Sequence, residues 1–205
     1  MNRRLISPSH EVRIVGGRWR RSRLPVLNRP GLRPTPDRVR ETLFNWLGQD
    51  LSGWRCVDAF AGSGALGFEA ASRGATVVWM IEADRNVCAN LVNVRQRLAA
   101  DAVQVECADA RQALARGVPA QWDLVFLDPP FGQFDVLHML ETVRHLLVPA
   151  GLVYVESARP LAPDLPQWQL LRQGRAGQVH FHLLRAATLD AVSDAVQTAD
   201  SGACL

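Results

Sequence analysis

"DAFAGSGALGFEA", Asp58 to Ala70, lies where an apolar run gives way to a helical pattern, and its glycines at 62, 64 and 67 fit the spacing GxGxxG. Glycines so placed let the backbone turn sharply and approach a ligand at a helix N-terminus, where free N–H groups collect. A carboxylate closing the next strand would accept hydrogen bonds from ribose hydroxyls, and Glu82, near the end of "TVVWMIEA", holds that place. A purely structural turn uses the same spacing, and so does a nicotinamide dinucleotide site.

Outward from this turn the chain alternates short apolar runs with helical patterns, the mark of a parallel sheet covered on both faces. Strands are predicted at 55–60, 76–83, 102–107, 122–128 and 152–157, with helices near 65–73, 85–99, 109–116 and 135–147. "VPAG" (148–151) is expected to end the last helix. "WQLLRQ" (168–173), a turn at "GRAG" (174–177) and "QVHFHLLR" (178–185) then predict an antiparallel hairpin. The expected fold is α/β: a mostly parallel sheet with a C-terminal antiparallel hairpin, as in Rossmann-like class I methyltransferases, plus a small N-terminal basic extension. The expected division is an arm over 1–34, a catalytic domain over 35–186 and a disordered tail over 187–205, which holds few large apolar groups.

Asp58 narrows the choice of ligand. A carboxylate in this loop repels a pyrophosphate but suits a ligand that carries an ammonium and a sulfonium and no phosphate, as S-adenosylmethionine does. Asp109, past the third of these strands, is placed to accept from an adenine amino group, to cap the helix that follows, or both. Asp84 reads more simply as a helix start. "DPPF", Asp128 to Phe131, ends another apolar strand, and two consecutive prolines forbid sheet pairing there. Such a corner suits a purine amine, a poor nucleophile because its lone pair is delocalised. If the Asp128 carboxylate and the Pro129 carbonyl each accept one amine hydrogen, the nitrogen is drawn toward tetrahedral geometry, while Phe131 stacks on the base.

Charge is unevenly spread. Residues 1–40 hold 11 Arg against 2 acids, a net of +9, and residues 41–205 hold 12 Arg against 18 acids, a net of −6. Backbone phosphates are the natural partner for the front cluster, and Arg18, Arg20, Arg21, Arg33 and Arg38 are its candidate RNA contacts. Trp19 reads either as a stacking platform for a base or, more simply, as part of a small core. Cys56, Cys88, Cys107 and Cys204 show no CxxC spacing, and the five histidines have no partner at metal or triad spacing, so no metal is expected. No stretch has the length of a membrane span or the apolar core of a signal peptide, and a soluble, cytoplasmic, monomeric protein is expected.

"RIVGGRWRRSRL", "GLRPTPDRVRETLFNWL", "DAFAGSGALGFEA", "IEADR", "FLDPPF" and "GQVHFHL" together resemble the bacterial methyltransferases that modify the N2 of a guanine in 16S ribosomal RNA. The resemblance runs from about Arg13 to Arg185. It implies S-adenosylmethionine as donor and 16S ribosomal RNA, or a partly assembled small subunit, as substrate. It implies Asp58, Gly62 and Gly64 around the methionine end, Glu82 on the ribose, Asp109 near the adenine, and Asp128, Pro129 and Phe131 on the target base. Thr35 and Arg38 would close over cofactor or RNA. Aspartate at the head of the tetrapeptide also resembles adenine N6 methyltransferases of DNA, since many guanine N2 enzymes have asparagine there. That activity, an NAD oxidoreductase and a noncatalytic RNA-binding assembly factor are the competing readings.

Overall fold

The computed structural model describes residues 8–27, 35–130, 132, 134–162, 165 and 167–187. Two strands, β1 (Pro8–Arg13) and β2 (Arg23–Leu27), pair antiparallel as a separate hairpin. Helix α1 (Asp37–Trp46) follows, with Val39, Leu43, Phe44 and Leu47 buried at helical spacing. The chain then alternates through β3 (Arg55–Asp58), α2 (Ala65–Ser72), β4 (Val77–Glu82), α3 (Arg85–Leu98), β5 (Val103–Cys107), α4 (Ala110–Ala115), β6 (Trp122–Leu127), α5 (Val136–Arg144) and β7 (Leu147–Ser157). Strands β8 (Trp168–Ala176) and β9 (Val179–Ala186) complete it.

The seven-stranded sheet has the order β5-β4-β3-β6-β7-β9-β8, parallel except where β9 pairs with β7 and β8. This is the α/β sheet with a terminal hairpin that the alternation predicted. From β3 the chain steps outward to β4 and β5, then returns to β6 on the other side of β3. The crevice beyond the carboxyl ends of β3 and β6 is the point where such sheets bind ligands. Each face of the sheet carries its own core. Leu43, Phe44, Phe68, Leu91, Phe126 and Tyr154 fill the face under α1, α2 and α3, and Leu114, Val125, Met139, Val143 and Val153 fill the face under α4 and α5.

Two boundaries differ from expectation. The last helix stops at Arg144, and Val148–Gly151 lies within β7 instead of ending the helix. Trp122 pairs with Leu147 and Leu124 with Leu152, so two steps along β6 face five along β7, and the excess is taken up in a bulge with Ala150 at φ +61°. The hairpin turn is not at 174–177 either. Gly174 stays in β8 opposite Phe181, whose ring lies where a Cβ would stand, 2.3 Å from Cζ. The turn is the two residues Gly177 and Gln178 between paired Ala176 and Val179, with glycine at φ +61°. Of the expected tail, 188–205 lie outside the described residues.

The N-terminal hairpin lies on the sheet domain. The Arg18 N–H donates to the Ser72 carbonyl at 2.7 Å, and the Trp19 N–H donates to Ser72 Oγ at 2.9 Å. Gly17, at φ +70°, passes so close that a Cβ would stand 1.9 Å from the Ser72 carbonyl oxygen. Asn90 Nδ2 donates to the Pro25 carbonyl at 3.1 Å, and Arg97 donates to that of Arg23, which aligns β2 with α3. Trp19 packs half-buried against the core, the simpler of its two readings. Cys56 and Cys88 are buried free thiols, and Cys107 is exposed. Among the described residues no helix is long and apolar enough to cross a membrane.

Candidate active site

The glycine turn and the proline corner meet at the crevice. Gly62 (φ +49°) and Gly64 (φ +77°) turn the chain from β3 into α2, and a Cβ on Gly64 would press within 2.6 Å of the Phe68 ring and 2.8 Å of Leu91. Glu82 fixes the loop from the neighbouring strand. Its Oε2 accepts the Gly62 N–H at 2.9 Å and its Oε1 accepts the Asp84 N–H at 2.8 Å, which leaves lone pairs for hydroxyls. Asp84 caps α3, accepting from the N–H groups of Asn86 and Val87.

Asp58 is 2% exposed at the end of β3, and its Oδ2 accepts the Gly67 N–H at 2.9 Å. Burial is the main cause that lifts its pKa to about 7, with Glu82 adding to it and the Gly67 N–H opposing it. Across the crevice, Asp128 follows β6 and accepts the Thr35 hydroxyl at 3.3 Å. Burial first, then the carboxyls of Glu156 and Asp58, push its pKa well above the usual carboxylate range, against the pull of the Thr35 hydroxyl. Pro129 is buried beside it and Pro130 is exposed. Phe131 lies outside the described residues.

Asp109 caps α4, accepting from the N–H groups of Arg111 at 3.0 Å and Gln112 at 3.3 Å. The Arg111 guanidinium also holds it at 3.1 Å and, as the largest cause, keeps its pKa below the ordinary value. A recess of about 260 Å³ opens beside it, against Arg111 and Phe134. The larger recess, about 480 Å³, lies elsewhere, between the hairpin loop and α1 against Arg20, Glu41, Asn45 and Arg73. Size therefore does not mark the chemistry; the carboxylates do.

Arg18, Arg20, Arg21 and Arg38 are exposed, the last on α1, and Arg33 lies outside the described residues. The loop bearing the first three rests on Ser72, at the far end of α2 from the Gly67–Asp58 contact, on the order of 10 Å along the helix. Sequence reasoning passed over two groups. Glu156 and Tyr154 join the proline corner from β7, and their signal was an acid closing the apolar alternation of "LVYVES". A buried cluster of Glu69, Arg40 and Arg73 ties α1, α2 and the hairpin together. In the sequence Arg40 was only one of the 11 Arg counted over residues 1–40.

The donor set fits S-adenosylmethionine. Among the described residues, no arginine pairs with Asp58, Glu82, Asp128 or Glu156, so the crevice is lined by carboxyls without a counter-cation. A sulfonium and an ammonium complement it, and a pyrophosphate does not.

Comparison with known proteins agrees. A family model described as "Conserved hypothetical protein 95" matches residues 12–185. Ribosomal RNA small subunit methyltransferase D of Escherichia coli (strain K12) is 44% identical over 183 residues, 86% of this chain and 91% of that protein. Its namesake in Haemophilus influenzae is 41% identical over 180 residues, 84% and 93% of the two chains. A solved structure of a putative methyltransferase from Escherichia coli superposes with a TM-score of 0.77 at 41% identity, covering 87% of this chain and 99% of that one. With a carboxyl-lined crevice at the switch point and likeness along nearly the whole fold, the chain belongs to the ribosomal RNA small subunit methyltransferase D family and is a methyltransferase.

Proposed function

We propose that the chain transfers a methyl group from S-adenosylmethionine to the exocyclic N2 amine of a guanine in 16S ribosomal RNA, free or in a partly assembled small subunit, acting as a cytoplasmic monomer. The observation that carries this reading is Asp128, held by Thr35 at the end of β6 and directly across the crevice from the Asp58–Gly67 turn. When bound, S-adenosylmethionine supplies an electrophilic methyl group on a sulfonium. Asp58 and the loop from Gly62 to Gly64 hold the methionine end, Glu82 accepts from the ribose hydroxyls, and Asp109 accepts from the adenine amine.

Asp128 and the Pro129 carbonyl accept the two hydrogens of the target amine and turn its lone pair toward the crevice, with Phe131 stacked on the base. As the N–C bond forms and the S–C bond breaks, positive charge grows on the amine nitrogen. An acceptor fixed beside that nitrogen stabilises the transition state more than the ground state. The nitrogen then sheds one proton.

Transfer of labelled methyl to ribosomal RNA from cells lacking the enzyme, followed by mass spectrometric mapping, tests the reading. The expected product is one N2-methylguanine in 16S RNA; label confined to DNA adenine rejects it. For the arm, replacing Arg18, Arg20 and Arg21 together by Gln is expected to weaken RNA binding and flatten its dependence on salt by up to roughly three ion equivalents. An unaltered slope of log affinity against log salt removes the hairpin loop from the interface.

A further inference from the structure

Asp128 is not alone at its corner. Leu127 of β6 pairs with Val155 of β7, so the next residues, Asp128 and Glu156, stand side by side at the strand ends. Alternation turns both toward the face that carries Phe126 and Tyr154. Glu156 is 4% exposed, and its Oε1 accepts the Tyr154 hydroxyl at 2.7 Å. One strand away, Asp58 closes β3 on the same face, level with Phe126.

The surrounding charges are few. From α1, Arg40 sends its Nε to the Thr35 carbonyl at 3.3 Å, while its terminal nitrogens are engaged by Glu69, Asp37 and the Arg13 carbonyl. From β4, Glu82 acts on Asp58. From β9, the apolar Phe181 lies opposite Glu156, and His180 is paired with Ser157. A buried carboxyl, Glu156, thus sits beside a half-buried one, Asp128: the Tyr154 hydroxyl serves Glu156, and the Thr35 hydroxyl serves Asp128 and also acts on Glu156.

Resting on Asp128 as the acceptor of the amine hydrogens, we propose that Glu156 is a positioning residue: its carboxylate, held by the Tyr154 hydroxyl beside Asp128, makes Asp128 the group that takes the proton lost by the target amine. The balance is simple. The methyl carbon bonds to nitrogen, the sulfonium leaves as a neutral thioether, and one N–H proton passes to Asp128 and then to solvent. A lone carboxylate is a weak base for this step. A like charge next to it in a buried site strengthens its hold on a proton, and burial followed by Glu156 are the leading causes of the raised Asp128 pKa.

Glu156→Gln tests this, because the amide keeps an acceptor for Tyr154 and removes only the charge. The acid limb of the kcat profile is expected to move to lower pH by about one pH unit or more, with KM for the cofactor little changed. A merely structural role would lower activity without moving that limb. The empty protein gives a second readout. Folded carboxyls with raised pKa contribute stability that is complete below their unfolded values and lost as pH rises through the folded ones.

The wild-type Tm should therefore fall as pH rises above the ordinary carboxyl range, and Glu156→Gln should shrink that fall by about 3 °C or more. An unmoved limb or an unchanged fall overturns the proposal. If Glu156→Gln does not fold, Thr35→Val carries the test: losing the hydroxyl that favours ionisation of both Asp128 and Glu156 must move the limb to higher pH, and no movement overturns it. Wild-type activity in Asp128→Ala would instead strike the proposed function itself, whereas an inactive Asp128→Ala with an unmoved Glu156→Gln limb fells this inference alone.

Discussion

Asp128→Ala is expected to lower kcat by roughly 100- to 1000-fold, the usual consequence of removing one fixed group that stabilises developing charge. Affinity for RNA and cofactor should change little. The proposed RNA contacts are exposed arginines such as Arg38, and the cofactor's proposed partners are Asp58 and Glu82 on other strands. The fold should survive as well. Among the described residues Asp128 accepts a single hydroxyl, that of Thr35, and its carboxyl resists ionisation through burial and through Glu156 and Asp58, so the variant should unfold no more easily than wild type at pH 8. Asp128→Asn retains an oxygen acceptor without the charge and is expected to fall between the two. Single-turnover methyl transfer, paired with thermal unfolding, checks all of this. A rate within threefold of wild type for Asp128→Ala would remove Asp128 from the chemistry.

The sheet was legible because its central strands β3 and β6 are buried on both faces, so each reads as an apolar run, and because Gly62 and Gly64 mark the turn where the ligand crevice must lie. Carboxylates at strand ends were legible for the same reason: Asp58, Glu82 and Asp128 interrupt apolar patterns. What could not be read was pairing between distant segments. Register across β6 and β7 decides that Glu156 neighbours Asp128, and the bulge at Val148–Gly151 that sets this register has no reliable local signature. The displaced hairpin turn shows the same limit. Gly174 looks like a turn residue, yet it serves the Phe181 ring on the opposite strand. Charge was hardest of all, since an arginine bound for solvent and one bound for the core look alike in sequence.

Arg40 makes that difference measurable. It is fully buried, and its guanidinium meets four partners: the Arg13 carbonyl and Asp37 Oδ1, each at 2.7 Å, and Glu69 Oε2 and the Thr35 carbonyl, each at 3.3 Å. Glu69 is equally buried and also receives the Val15 N–H at 2.8 Å and Arg73 at 2.8 Å. Removing Arg40 leaves Glu69 with one cation instead of two and strands two carbonyls. Arg40→Ala is therefore expected to cost about 3–5 kcal/mol of stability, equivalent to a Tm lower by roughly 6–20 °C for a chain of this size. Arg40→Lys should recover only part, because an ammonium on a single stem cannot span the Arg13, Thr35 and Glu69 acceptors together. Urea unfolding of the empty protein measures the effect, and a loss below about 1 kcal/mol would contradict the arrangement. Because Arg40 also holds the carbonyl of Thr35, whose hydroxyl reaches Asp128, Arg40→Lys should lower kcat even where the protein remains folded. Arg38, two residues earlier and exposed, should show no such loss of stability when replaced by Ala.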